Sequence, residues 1–412
     1  MTDEEVQQEA VPAPLLTLSD GTPHVVETDR EYREICERVA AGTGPIALDA
    51  ERASGFRYSA RAYLIQLRRE GTGTALIDPT RFDDLSLLHE AIGGDQWILH
   101  AASQDIPCLR EVGLVPTDLF DTELAGRLLG YPRVGLATLV ESILGKRLRK
   151  EHSAADWSKR PLPPPWLEYA ALDVEPLAEL RDVLASELVD AGKDEWARQE
   201  FEHLLDFRPN VRAEPWRRTS QLSRVRSRRA LAAVRSLWQT RDAIAQNKDV
   251  TPGRIIPDSA IIEAALALPV SRRTLLALPG FKGRGAERYA MKWVNALQEA
   301  RELDESALPQ RSPRSDGPPT ARAWAEKDPI ARKRLQAAKE AFAALSEEWS
   351  TPTENLLTPD TMRRVLWTPP KTRDETALST EVAETMRALG AREWQIELTA
   401  PLLVAAILDA ES

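Results

Sequence analysis

Four acidic residues and one tyrosine carry the first chemical signal in the chain. Residues 46–51 read IALDAE, an apolar run that ends in Asp49 and Glu51. On a strand, side chains at i and i+2 share a face roughly 6.5–7 Å apart, so both carboxylates can reach one divalent cation or flank a pair of them. Taken alone, the pair also describes a solvated strand end. HAASQD sets Asp105 early on a helix that follows an apolar strand, where the helix dipole by itself favours an acid. YAALD spaces Tyr169 and Asp173 at i and i+4, on one helical face; a half-buried tyrosine beside a surface acid has the same spelling. Together, four carboxylates suit Mg²⁺ or Mn²⁺, which take oxygen ligands and retain waters. Two such ions about 3.5–4 Å apart can activate a water, stabilise a pentacovalent phosphate and receive a leaving oxyanion.

Positioning these groups requires a framework of strands and helices, and residues 21–205 supply the pattern for one. Strands are expected at GPIALDAE (44–51), RAYLIQLRR (61–69), TALIDP (74–79) and QWILHA (96–101). Helices are expected at 30–42, 82–94 and 103–113, the last with Ser103 as N-cap and Pro107 in its first turn. Residues 117–130 read as a strand turning into a helix capped by Asp121 or Thr122. A helix follows at 135–145, and a long one spans 167–188. The order predicts an α/β domain with a mixed sheet flanked by helices.

The remaining chain divides by composition. Residues 1–20 read as a disordered acidic tail, 206–220 and 301–322 as linkers, and 221–300 and 323–412 as small all-α domains. TPGRIIPDSAIIEAALALP (251–269) resembles PTENLLTPDTMRRVLWTPP (352–370), so one helical module is expected twice, the second copy diverged.

The 412 residues carry a net charge of −10. Residues 208–254 run against that balance, with twelve basic residues against three acids, a local excess of nine. This is the one region suited to meet a polyanion. No run of eighteen apolar residues predicts a membrane span. The N-terminus lacks a secretory h-region, and two cysteines cannot build a disulfide framework or a zinc site. A cytoplasmic protein without membrane association is expected.

Order, spacing and element type of Asp49, Glu51, Asp105, Tyr169 and Asp173 resemble the DEDD exonuclease superfamily, with its ribonuclease H-like fold and, from Tyr-x-x-x-Asp, its tyrosine subgroup. YLIQL, ALIDP, HAASQD, LFDTELAGRLLG, DWSKRPL and EYAALDV carry the resemblance toward ribonuclease D-like proteins over about 44–190. RDAIAQNKDVTPGRIIPDSAI and LPGFKGRGAERYAMKWVNAL resemble an HRDC domain, and a diverged second HRDC-like domain would complete the pattern. The resemblance implies a 3′–5′ exoribonuclease that trims RNA 3′ ends, tRNA precursors among them, and releases nucleoside 5′-monophosphates with two divalent cations. It implies that Asp49 bridges the two ions, that Glu51 and Asp173 complete the site of the water-activating one, that Asp105 holds the second and that Tyr169 positions the water. The partner implied is RNA with a free 3′ end, with single-stranded DNA as a second candidate, and the protein is expected to be a monomer. Two alternatives share the fold: a DNA 3′–5′ exonuclease acting in repair, and a non-catalytic nucleic-acid-binding protein.

Substrate contacts are less specified. Arg52, Arg57 and Tyr58 follow Glu51 in a polar loop that can face the substrate backbone or simply face solvent. His100 is a candidate contact or a packed histidine. Arg224 and Arg228 lie in the basic region, and Lys282 and Arg284 in PGFKGRG, where glycines permit close backbone approach.

Overall fold

The structure is a computed structural model describing residues 12–149, 152, 154–311 and 317–410. Six strands form one mixed sheet: β1 (Val25–Val26), β2 (Thr43–Arg52), β3 (Ala62–Glu70), β4 (Gly73–Ile77), β5 (Gln96–Leu99) and β6 (Asp118–Asp121), in spatial order β1-β4-β3-β2-β5-β6. β2, β3 and β4 pair antiparallel, while β1 on β4, β5 on β2 and β6 on β5 are parallel.

The period-2 alternation of β2 decides what faces where. Ile46, Leu48 and Ala50 join a core with Tyr32, Ile35 and Val39 of α1 (Asp29–Ala40), Leu88 and Ile92 of α2 (Ser86–Ile92) and Ile106 and Leu109 of α3 (Ile106–Glu111). Thr28 and Glu31 close a capping box at the start of α1, which fixes its apolar stripe toward the sheet. After β6 come α4 (Thr122–Leu128) and α5 (Leu136–Leu144). The opposite face of the sheet carries Ala47, Leu64, Leu76 and Ile98. It is covered by Ala170, Ala171 and Val174 of α6 (Pro164–Val174) and Leu177 of α7 (Leu177–Asp190). Asp49 and Glu51 alternate onto this second face, beneath α6. Burying a side chain such as Leu48 or Ile46, both at 0% exposure, stabilises by about 1.5–3 kcal/mol, so the two acids are anchored by the residues between them.

The expected long helix at 167–188 is two helices, because Pro176 has no N–H to continue the ladder. Ser103 does not cap a helix. It lies in a one-turn 3₁₀ segment, Ala102–Gln104, and α3 begins after Asp105. Residues 12–20 of the expected tail are docked: the Leu16 N–H donates to the Arg147 carbonyl at 2.9 Å, and Arg68 bonds Ser19 and Asp20. Residues 1–11 lie outside the described residues.

α8 (Asp194–Leu205) closes the α/β region. The next helices are α9 (Arg228–Lys248), α10 (Asp258–Ala267), α11 (Arg272–Leu276), α12 (Arg284–Arg288) and α13 (Ala290–Glu302), around a separate core that includes Leu237, Ile261, Phe281 and Trp293. Trp216, in the expected linker, is buried in that core. The last set is α14 (Trp324–Lys327), α15 (Pro329–Glu348), α16 (Thr353–Leu356), α17 (Pro359–Trp367), α18 (Glu375–Ala388) and α19 (Glu393–Asp409). Both helical regions share a long helix, a one-turn segment and a helix of nine or ten residues.

The C-terminal helices share one continuous core with α4, α5, α7 and α8 of the α/β region. Trp196 stacks on Trp394 with ring centroids 4.7 Å apart. Arg392 donates two 2.6 Å bonds to Glu200, and the buried Lys193 ammonium reaches the carbonyls of Leu128 and Trp349. Among the described residues, no helix is long and apolar enough to cross a membrane.

Candidate active site

Asp49 and Glu51 on β2 and Asp173 on α6 each bring one carboxylate oxygen within 4.8 Å of the others. The first pair meets because a strand repeats every two residues. Asp173 joins because the small Ala170 and Ala171 let α6 lie close on Leu64 and Leu76. Tyr169, one turn back on α6, sets its hydroxyl beside the Asp173 carboxylate. Trp157, fully buried, lies 6.3 Å from the Tyr169 ring. Its loop is tied to the sheet by Arg160, which donates to Asp78, the Tyr63 carbonyl and the Trp157 carbonyl at 2.6–2.8 Å.

Asp105 stands at the N-cap position of α3, yet its carboxylate bonds no N–H of that helix. It is 4% exposed and lies outside the three-carboxylate cluster, with Oδ1 3.3 Å from Nη2 of Arg52. Nη1 of Arg52 donates to the Gln104 carbonyl. The turn leading into α3 is held from below by Asp121, whose carboxylate accepts the N–H groups of Ala101, Ala102, Glu123 and Leu124. Ala101 has φ +62°, and this grip stabilises it there. Asp121 was expected only as a helix cap; its second role needs a partner twenty residues away, which no local pattern reveals.

Burial raises all four site carboxylates above their ordinary range. Burial and then Asp49, Asp173 and Asp105 push Glu51 up to about 10. Burial and Asp49 raise Asp173 and Asp105, with Arg52 pulling Asp105 the other way. Burial likewise raises Asp49. Crowded buried carboxylates cannot all ionise without added positive charge. Gln66 pairs across the strands with Asp49 and is fully buried, and neither atom of its amide has a hydrogen-bond partner. An all-oxygen anionic donor set with an unsatisfied amide beside it fits hydrated divalent cations.

The expected substrate contacts have other partners or none. Arg57 donates to Ser158 at 2.8 Å, and the Tyr58 hydroxyl donates to Asp242 at 3.1 Å. His100 is hydrogen-bonded to Thr122 at 2.9 Å, and burial lowers it to about 4, so it stays neutral. Arg228 caps a turn through the carbonyls of Glu305, Leu308 and Pro309. Arg224 is exposed beside Gln221. Lys282 and Arg284 are exposed, Lys282 just before and Arg284 at the start of a helix of only five residues, whose dipole is correspondingly small.

Comparison with known proteins matches each of the three regions to a family model. Residues 23–189 match the 3′-5′ exonuclease family model, 230–297 the HRDC domain and 317–407 the 3′ to 5′ exonuclease C-terminal domain. Ribonuclease D of Jannaschia sp. is 34% identical over 306 residues, covering 70% of this chain and 77% of that one. This chain belongs to the ribonuclease D family. Ribonuclease D of Zymomonas mobilis is 31% identical, with 68% and 73% coverage. Among solved structures, Escherichia coli RNase D superposes with TM-score 0.66 at 27% identity, over 89% of this chain and 98% of that one. A protein from Bifidobacterium adolescentis superposes with TM-score 0.87 at 38% identity, over 96% and 99%. As a ribonuclease D family member, the chain is a 3′–5′ exoribonuclease that uses divalent metal. The C-terminal region expected as a second HRDC copy matches a family model of its own.

Proposed function

We propose that Asp49, Glu51, Asp105 and Asp173 hold two divalent cations, Mg²⁺ or Mn²⁺, with Asp49 between them, and that Tyr169 positions the attacking water. The convergence of three carboxylate oxygens within 4.8 Å, from a central strand and the helix above it, carries this reading. Bound cations supply the Lewis acidity for attack on the phosphodiester and for departure of the 3′ oxygen. The protein supplies position. β2 fixes two ligands through strand pairing, and α6 fixes Asp173 and Tyr169 on one face. Burial and the neighbouring Asp173 and Glu51 carboxylates raise Tyr169 above its ordinary range. Tyr169 therefore keeps its proton at neutral pH, and its hydroxyl orients a water rather than removing its proton.

The substrate in this reading is RNA with a free 3′ end, including tRNA precursors and other structured RNAs, cut by a monomer to nucleoside 5′-monophosphates. Support comes from Escherichia coli RNase D, described as an exoribonuclease involved in structured RNA processing. The test uses 5′-labelled RNA and DNA oligonucleotides with free or blocked 3′ ends, and a tRNA with an extended 3′ end. Free-ended RNA should shorten stepwise, blocked RNA should persist, and DNA should react more slowly. Equal rates on RNA and DNA would favour the DNA exonuclease reading.

A further inference from the structure

We propose that Arg52 is a built-in cation that occupies Asp105 and must be displaced before a second metal ion binds there. The inference rests on the reading of Asp105 as a metal ligand.

The three-carboxylate cluster is assembled without help from Asp105. Asp105 is engaged by a guanidinium instead, with Arg52 Nη2 3.3 Å from Oδ1 and Arg52 Nη1 on the adjacent Gln104 carbonyl. A two-point grip of this kind holds the side chain in one orientation. Local backbone geometry aims it there. The register of β2 on β3 slips between Glu51 and Arg52, so Glu51 pairs with Leu64 while Arg52 pairs with Ala62. Such irregularities redirect a side chain out of strict alternation. The next residues continue the restraint: the Phe56 and Arg57 N–H groups close a turn onto the Ala53 carbonyl, and the Arg57 side chain bonds Ser158.

The arrangement makes the two cation positions unequal. Among the described residues no ion pair engages Asp49, Glu51 or Asp173, so an ion enters that position without displacing one. The position at Asp105 carries a guanidinium charge that an incoming ion has to expel. Arg52 keeps the buried Asp105 compensated when metal is scarce, and the same contact weakens the second metal site. The second ion therefore binds more weakly than the first, and the difference depends on Arg52.

The test is Mn²⁺ binding by isothermal titration calorimetry and electron paramagnetic resonance, on wild type, Arg52→Gln, Arg52→Lys and Asp105→Ala, with folding checked by circular dichroism. Wild type should bind one Mn²⁺ tightly and a second weakly. Arg52→Gln should tighten the weak site about tenfold, the scale of one ion pair no longer broken. Arg52→Lys keeps the charge but not the fork and should tighten it less, which preserves the comparison if the glutamine variant folds poorly. Asp105→Ala should lose the weak site only. If Asp105→Ala loses that site but Arg52→Gln leaves it unchanged, the role of Arg52 is overturned while the metal assignment stands. If Asp105→Ala still binds two ions like wild type, the assignment of Asp105 itself is wrong.

Discussion

The Asp121 carboxylate accepts the backbone N–H of Ala102 at 2.8 Å. That bond joins the end of β6 to the turn from which Asp105 projects, and the same carboxylate also takes the N–H groups of Ala101, Glu123 and Leu124. Asp121→Ala strands these donors, two of them, on Ala101 and Ala102, buried. Stability should fall by about 2–4 kcal/mol, read from urea unfolding. Asp121→Asn retains acceptor oxygen on one side only and should lose less stability, yet still lower kcat through Asp105. Wild-type kcat in Asp121→Asn would show that this turn does not position Asp105.

The crowded carboxylates link metal, pH and stability. Glu51 has an ordinary value of 4.5 and is raised to about 10 in the fold. A raised folded value means that the folded state holds the proton longer. The contribution to stability is complete below 4.5 and is lost as pH rises toward 10. Metal-free protein should therefore show a falling Tm from pH 5 to 9. Cations bind the deprotonated carboxylates, so Mg²⁺ should raise Tm more at pH 9 than at pH 6. Differential scanning fluorimetry with EDTA or Mg²⁺ across pH measures both trends; a metal-free Tm that climbs over this range would contradict them.

Tyr169→Phe removes the hydroxyl beside Asp173 and leaves the carboxylate cluster intact. kcat should fall by about 10²-fold, within the range of a lost positioning contact, while Mn²⁺ stoichiometry stays the same. Since Tyr169 keeps its proton at neutral pH, the shape of the pH–rate profile between pH 6 and 9 should be the same in the variant. Loss of a basic limb on substitution would assign Tyr169 the proton-transfer role denied to it here.

The loop after Glu51 leans on the HRDC region. The Asp249 carboxylate accepts the Ser59 N–H at 2.9 Å and the Tyr63 hydroxyl at 3.3 Å, and the Thr251 N–H donates to the Phe56 carbonyl. Asp249 has φ +45°, so Asp249→Gly removes the carboxylate without adding backbone strain. Amide exchange in 53–60 should accelerate, and cleavage of a structured RNA should slow more than cleavage of a short single strand. Unaltered exchange in this loop would mean that the contact does not hold it.

The proposed constellation reads from the sequence because two of its spacings are local. Asp49 with Glu51, and Tyr169 with Asp173, follow from the strand and helix periods alone. Asp105 was legible by its place after an apolar strand, although its helix starts later than Ser103 suggested. What stayed hidden depends on distant partners. The partners of Tyr58 and Ser59 lie 184 and 190 residues away, so a loop that reads as a substrate surface is a domain contact. Part of the basic surplus in 208–254 is spent inside the fold: Arg228 and Arg229 cap carbonyls near the end of α13, and Arg241 pairs with Asp258 at 2.7 Å, while Arg208, Arg212, Arg218, Arg224, Arg226, Lys248 and Arg254 stay exposed. The C-terminal helices read as an independent module because their own amphipathic pattern is complete. Long-range contacts such as the stack of Trp196 on Trp394 and the Glu200–Arg392 pair reveal their merger with the α/β core.

Hydrolysis of a 3′-hydroxyl RNA oligonucleotide by Asp49→Ala tests the central claim most directly. In the proposed reading Asp49 would serve both cation positions, and its removal leaves the apolar anchors of β2 in place. With Mg²⁺ present and the fold verified by circular dichroism, the rate should fall by at least about 10³-fold, the scale of losing a principal electrostatic element of the site, and EDTA should abolish the wild-type rate. A folded Asp49→Ala protein that trims RNA 3′ ends at the wild-type rate would contradict the account.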